Sequence, residues 1–285
     1  MNIVSSMAVF SSNRPVLGLP VCDLNWADAF MFVSALVDMP IGQTVISFLN
    51  AHNCNVMLND PVYRETLERH LVLPDGIGVD IASMLTNGSR FPANLNGTDF
   101  VPALLTYIAT PKRIGLIGAR PEALKGARDA FARHAPWHEF VAVHDGFFTE
   151  EETPAIMADV ARQKFDILLV AMGTPKQEIW VDRYVRPEHA RLVISVGALF
   201  DFMAGIVPRA PHLVRQYRVE WLYRVLQEPR RLAGRYFVGG PVFLGRIFAH
   251  AARLHASRLV ERFRPKPPVQ DRPRLPVSPR RKVPS

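Results

Sequence analysis

Short apolar runs that stop at a glycine or polar turn recur along this chain, and stretches of helical period separate them. The clearest run is residues 165–170, rich in Ile, Leu and Val, which suits a buried parallel strand. It leads into Met172-Gly173-Thr174-Pro175-Lys176-Gln177-Glu178. There Gly173 permits a sharp turn, Thr174 suits a helix cap, and Pro175 suits the first helical position. Further strands are expected at 16–21, 44–49, 71–73, 113–117, 140–143 and 191–196. Helices are expected at 26–37, from about 51 to 70, and at 79–85, 99–108, 121–134 and 154–163. Such alternation predicts an α/β protein, a Rossmann-like parallel sheet with helices on both faces. In a parallel sheet the strand ends share one edge, where open α/β sheets bind ligands and helix N-termini attract phosphates. Asn50, Asp75, Phe147, Gln177 and Asp201 each follow a strand, so five separate positions converge on that edge.

Charge divides the chain. Residues 1–208 carry 16 Lys+Arg against 22 Asp+Glu, whereas residues 209–285 carry 18 against 4. The sequence therefore predicts an α/β catalytic domain over 1–208 and a basic helical appendage over 209–263. A Pro/Arg-rich tail over 264–285 cannot bury a core and is expected to be disordered. The basic end calls for an anionic partner. No run is long enough to span a bilayer and no signal peptide is evident, so a cytoplasmic protein lying on a membrane surface is the expectation. Cys22 and Cys54 lack metal spacing and fit a reducing compartment.

Taken locally, each candidate has an ordinary structural reading beside the chemical one. Asp75, in Pro74-Asp75-Gly76-Ile77-Gly78, can serve as a general base or cap a helix. Asn50 and His52 can meet sugar or phosphate groups, or be a cap and a surface histidine. Lys176 and Gln177 can face the crevice or solvent, and Asp201 can bind hydroxyls or cap. Gly115-Leu116-Ile117-Gly118-Ala119-Arg120 lacks the third glycine of a dinucleotide loop, yet a turn at Gly118 remains compatible with nearby phosphates. No acidic pair suited to a divalent metal, zinc-ligand spacing, Walker loop or nucleophile elbow is present, so neither metal nor cofactor is expected.

Several motifs, in order, carry a resemblance. They are Phe48-Leu49-Asn50-Ala51-His52, Pro74-Asp75-Gly76-Ile77-Gly78, Asn96-Gly97-Thr98-Asp99 and His144-Asp145-Gly146-Phe147-Phe148. Met172 to Glu178, Val196-Gly197-Ala198-Leu199-Phe200-Asp201, Arg209-Ala210-Pro211 and the stretch from Glu220 to Arg231 complete the set. Together they resemble the WecG/TagA/CpsF glycosyltransferases, family 26, and look most like members that build exopolysaccharide. The resemblance implies inverting, metal-independent transfer of a sugar from a UDP donor to a polyprenyl-diphosphate-linked acceptor. It implies Asp75 as base and Asn50, Gln177 and Asp201 as donor-site groups, with Phe147 stacking on uracil. Gly118 and Thr174 then sit at the donor diphosphate. Arg224, Arg231, Arg235 and His52 fall to the acceptor diphosphate, with the appendage closing over the site at an anionic leaflet. Two positions depart from the family pattern: Phe48 replaces a common Thr and Asn94 a common Arg, which points to a different sugar. A nicotinamide-dependent oxidoreductase on a similar sheet is an alternative. A nucleic-acid-binding role for the tail is another, although the tail lacks interleaved aromatics.

Overall fold

The computed structural model describes residues 13–211 and 220–262. Within them a six-stranded sheet is entirely parallel, in the order β4-β3-β8-β7-β5-β6. Its strands are β3 (Thr44–Leu49), β4 (Leu71–Pro74), β5 (Arg113–Gly118), β6 (Glu139–His144), β7 (Phe165–Ala171) and β8 (Ala190–Ser195). Side chains alternate between two helical layers. In β7, Ile167 and Leu169 belong to one core cluster while Leu168 and Val170 belong to another.

One face is covered by α1 (Trp26–Asp38), α5 (Gly97–Tyr107), α6 (Pro121–His134) and α9 (Leu199–Met203). The other carries α2 (Ala51–Asn59), α3 (Pro61–Glu68), α4 (Ile77–Asn87), α7 (Thr153–Gln163) and α8 (Lys176–Tyr184). Both layers exist because each strand is apolar on both sides, as a parallel sheet requires.

Residues 16–21 do not form one strand. They form a hairpin, β1 (Asn13–Val16) with β2 (Leu19–Cys22), turning through Leu17 and Gly18 at φ 52° and 84°. Glycine at Gly18 suits that left-handed turn. The helix expected over 51–70 is two helices, because Asp60 ends α2 and caps α3 by accepting from the Tyr63 N–H at 3.1 Å, with Pro61 in the first turn.

Beyond Pro211 come α10 (Glu220–Gln227), α11 (Pro229–Ala233), a π-helical turn (Gly234–Val238) and α12 (Gly239–Arg262). The described part of the basic stretch, 220–262, is thus largely helical, and α12 is docked on the α/β body. Phe243 and Ile247 are fully buried with Cys54 and Met57 of α2 and Val79 and Ala82 of α4. Polar contacts fasten the same interface. Asn55 Nδ2 donates to Gly239 O at 2.7 Å, and Arg246 donates to Asn55 Oδ1 at 3.1 Å and to Asn59 Oδ1 at 2.8 Å. Arg209, just ahead of the appendage, pairs with Asp99 at 2.6 Å and donates to Thr98 O. The tail over 264–285 lies outside the described residues. Among the described residues no helix is long and apolar enough to cross a membrane.

Candidate active site

The carboxyl edge of the sheet is assembled from the loop after each strand. At one end, β3 and β4 are adjacent and deliver Asn50 and Asp75. Asn50 Oδ1 caps α2 by accepting from the Asn53 N–H at 3.0 Å, and its Nδ2 donates to Asp75 Oδ2 at 3.1 Å. One carboxamide therefore starts a helix and aims the neighbouring carboxylate. The Asp75 N–H donates to Leu49 O at 2.9 Å, which ties the two strand ends together. The capping role weighed for Asp75 is not observed. Gly76, at φ 89°, is the N-cap of α4, and no side chain caps that helix.

Asn94 braces this loop by accepting from the Gly76 N–H at 2.8 Å. Phe48 is buried at 7 % exposure, and a Cβ on Gly97 would stand 2.9 Å from its ring. Phe48 is thus a core side chain, and Gly97 is glycine because the ring occupies the space. The two departures from the family pattern are both structural neighbours of the Asn50–Asp75 pair.

In the middle of the edge, β7 and β8 are tied by Gln177. Its Oε1 accepts from the N–H groups of Met172 at 3.3 Å, Gly173 at 3.2 Å and Gly197 at 3.2 Å. Its Nε2 donates to Glu178 Oε1 at 2.8 Å, and Thr174 Oγ1 donates to the same oxygen at 3.0 Å. Both Gln177 and Glu178 are buried, at 2 % and 1 % exposure. The exposed-helix reading of Gln177 is therefore wrong. The expected Thr174 cap is also absent: its hydroxyl is directed to Glu178, Pro175 is the N-cap, and no side chain caps α8. The Thr174–Pro175 peptide is cis. Burial pushes the Glu178 carboxyl up, against the opposing effect of its hydrogen bonds. Glu178 was absent from the sequence-derived candidates. Its place beside Gln177, on the same side of the helix as Trp180 and Val181, was the available signal.

At the far end, Gly118 has φ 117°, and a Cβ there would fall 2.3 Å from Ala171 O, so only glycine fits. Ala119 N–H donates to Ala171 O at 2.7 Å and Gly146 N–H to Ala119 O at 2.8 Å, which joins the loops after β5, β6 and β7. Phe147 is 72 % exposed on an Asx turn in which its N–H donates to Asp145 Oδ1 at 2.9 Å. Lys176 reaches toward the same loop, donating to Gly146 O and lying 5.6 Å above the Phe148 ring. Asp201 is half-buried in the short α9, and its carbonyl accepts from the Ile206 and Val207 N–H groups.

The appendage approaches the Asn50 end. His52, in the first turn of α2, has its pKa lowered to about 4, by burial first and by the Arg235 charge second. It is therefore neutral at pH 7 and can offer an anion a hydrogen bond but no charge. Arg235 lies 5.8 Å over the Tyr236 ring. Arg224 and Arg231 fall on α10 and α11, but their side chains lie outside the described residues. Among the described residues no three His, Cys, Asp or Glu side chains cluster as metal ligands would.

Residues 14–257 match the Glycosyl transferase WecG/TagA/CpsF family, which takes in the sheet, the edge loops and most of α12. The chain belongs to this family. As a WecG/TagA/CpsF member it is a glycosyltransferase, and the oxidoreductase reading falls away. Two curated relatives are each named N-acetylglucosaminyldiphosphoundecaprenol N-acetyl-beta-D-mannosaminyltransferase. The Bacillus subtilis (strain 168) protein is 32% identical over 197 residues, covering 68% of this chain and 75% of its own. The Bacillus spizizenii (strain ATCC 23059 / NRRL B-14472 / W23) protein is 28% identical over 219 residues, covering 74% of this chain and 84% of its own.

Proposed function

We propose that this WecG/TagA/CpsF member transfers a hexose or N-acetylhexosamine from a UDP donor to a polyprenyl-diphosphate-linked sugar, with inversion and without a metal, in cell-surface or exopolysaccharide synthesis. The observation that carries the reading is the 3.1 Å contact between Asn50 Nδ2 and Asp75 Oδ2 at the ends of adjacent parallel strands. A carboxylate held at a strand end, and not used as a helix cap, suits a base. In the proposed step Asp75 takes the proton of the acceptor hydroxyl as its oxygen attacks the anomeric carbon. The bond from that carbon to the diphosphate breaks, and UDP leaves from the opposite face.

The extent of the edge supports an extended donor. From β3 to β6 there are four inter-strand spacings, about 19 Å. The exposed Phe147 ring at one end is suited to stack on the base. Gly118, Thr174 and Gln177 lie between, where backbone N–H groups and Lys176 can meet the diphosphate. Asp201 and Asn50 are assigned to donor hydroxyls. Arg235 and His52, with Arg224 and Arg231, are assigned to the acceptor diphosphate. The relatives' names, which specify a diphosphoundecaprenol acceptor, support that class of acceptor. The basic appendage is assigned to an anionic membrane face.

The test is a screen of UDP-sugars with a short-chain polyprenyl-diphosphate-sugar acceptor, run with wild type and Asp75→Asn. Wild type should turn over one donor in the presence of EDTA, and the variant should bind UDP but lose on the order of 10²-fold in rate. Near-normal turnover by Asp75→Asn would remove it as base. Abolition by EDTA with rescue by Mn²⁺ would overturn the metal-free scheme.

A further inference from the structure

Glu178 is the most deeply buried acidic side chain beside the site, and the scheme above gives it no task. It is 1 % exposed, and its Oε2 has no hydrogen-bond partner among the described residues. Leaving a buried carboxyl oxygen unpaired is costly, so the position is not a neutral choice for packing. Among the described residues, the side chains that donate to Glu178 both reach Oε1 and both stand at the carboxyl edge: the Thr174 hydroxyl at 3.0 Å and the Gln177 carboxamide at 2.8 Å.

The second bond has a geometric consequence. A carboxamide can be turned either way round, and only one orientation puts its oxygen toward the N–H groups of Met172, Gly173 and Gly197. An acceptor at Glu178 Oε1 demands the –NH₂ end of Gln177 and so enforces that orientation. Turned the other way, Gln177 would set an –NH₂ against three N–H donors and its oxygen against the carboxyl. Glu178 therefore fixes, through one amide, the backbone of two loops that come from different strands. The bond from Thr174 fixes the side chain of the intervening residue on the same oxygen. Tyr63 of α3 is fully buried within reach of the same carboxyl, and its hydroxyl is pushed up by burial first and by the Glu178 carboxyl second.

We infer that Glu178 is a positioning residue, which sets the orientation of Gln177 and Thr174 and thereby holds the loops after β7 and β8 in the shape that receives the donor diphosphate. The inference rests on the proposed donor site for its functional half, while the orienting of the loops stands independently of it. Charge is not what the role requires. It requires an acceptor oxygen at the Oε1 position, which a glutamine also supplies.

The experiment compares Glu178→Ala, Glu178→Gln and Thr174→Val in the full chain. Amide hydrogen exchange is read at Met172, Gly173 and Gly197, and steady-state transfer is run with donor and acceptor varied separately. In Glu178→Ala the three amides should lose protection together, and donor KM should rise on the order of tenfold or more with acceptor KM changed less than about twofold. Glu178→Gln should restore protection and return donor KM to within about threefold of wild type. Thr174→Val, which leaves the Glu178–Gln177 bond in place, should keep the Gly197 amide protected and serves if Glu178→Ala does not fold. Unchanged protection in Glu178→Ala overturns the orienting role, as does loss of the Gly197 amide in Thr174→Val. A Glu178→Gln variant as damaged as Glu178→Ala would make the carboxylate charge the requirement and would also overturn it. Loss of protection with an unmoved donor KM would reject the link to the donor. Failure of wild type to bind UDP would instead reject the proposed function, with the exchange measurement still deciding the orienting role.

Discussion

Replacing Phe243 with alanine tests whether the appendage is part of the folded body or merely rests on it. Phe243 is 1 % exposed and packs among Cys54, Met57, Val79 and Ala82. Its ring edge would sit 3.4 Å from a Cβ built on Gly78, three residues past Asp75. Removing a buried Phe ring costs about 3–5 kcal/mol, from lost transfer energy and the cavity left behind. The polar contacts of Asn55 and Arg246 across the same interface are partly solvated and contribute about 1 kcal/mol each. They are present in wild type and variant alike and so do not change the difference between them. If α12 unfolds with the sheet, a cost of that size lowers the melting temperature by roughly 6–20 °C. If α12 is a separate cooperative unit, the melting temperature holds but α12 amides lose their exchange protection. Phe248→Ala, at a position on the same helix that is 57 % exposed, should change stability by less than about 0.5 kcal/mol. The assay is thermal unfolding paired with hydrogen exchange on wild type and both variants. A Phe243→Ala protein with wild-type melting and wild-type protection in α12 would refute the claim that apolar burial docks the appendage.

His70 should make the fold acid-sensitive. Its pKa is lowered to about 4, chiefly by burial, against 6.5 when exposed, and its Nδ1 is 2.9 Å from Ser47 Oγ. The neutral form is favoured in the fold, so its contribution is complete above pH 6.5 and is lost as pH falls from there toward 4. That loss amounts to about 3 kcal/mol. Urea unfolding at pH 7 and pH 4.5 should show a smaller pH difference in His70→Gln than in wild type, and an equal difference would remove His70 as its source. Gly118→Ala places a Cβ against the Ala171 carbonyl at a φ of 117° and should cost about 2 kcal/mol or more. A denaturation midpoint equal to wild type would show that the β5 turn yields easily. Arg209→Ala and Asp99→Asn, which break a half-exposed pair, should each cost about 1 kcal/mol or less. A double-mutant cycle giving zero coupling would mean that the pair is incidental.

The sheet was legible because β-branched and leucine-rich runs of strand length admit few other uses. Strand β3 coincides with the run read from sequence, and the other five differ by a residue or two at their ends. The convergence of Asn50, Asp75, Phe147, Gln177 and Asp201 on one edge was legible for the same reason, since parallel strands leave no choice of edge. What the sequence did not disclose depended on partners far along the chain. Whether Asp75 caps a helix turns on Asn50, 25 residues earlier, drawing the carboxylate away. The burial of Gln177 turns on Gly197, 20 residues later. The 16–21 stretch misled because its apolar residues lie in a hairpin that packs on β4 and α4 and never joins the parallel sheet. Local pattern carries period and capping propensity, but not the competition among acceptors for one donor.

The strand order β4-β3-β8-β7-β5-β6 also governs when the site can come into being. The pair β3–β4 and the pair β5–β6 each join strands close in sequence, and each can form early. They share no edge with one another. Only β7 and β8, made last among the strands, fill the gap between them. Asn50 and Asp75 can therefore meet before the loops that face them across the sheet are in place. A growing chain that lacks residues 165–195 holds two half-edges with open flanks, exposed to wrong pairing. Completion of the centre is a late, long-range event, and variants that slow the insertion of β7 should lower the yield of folded protein before they alter the turnover of the molecules that succeed.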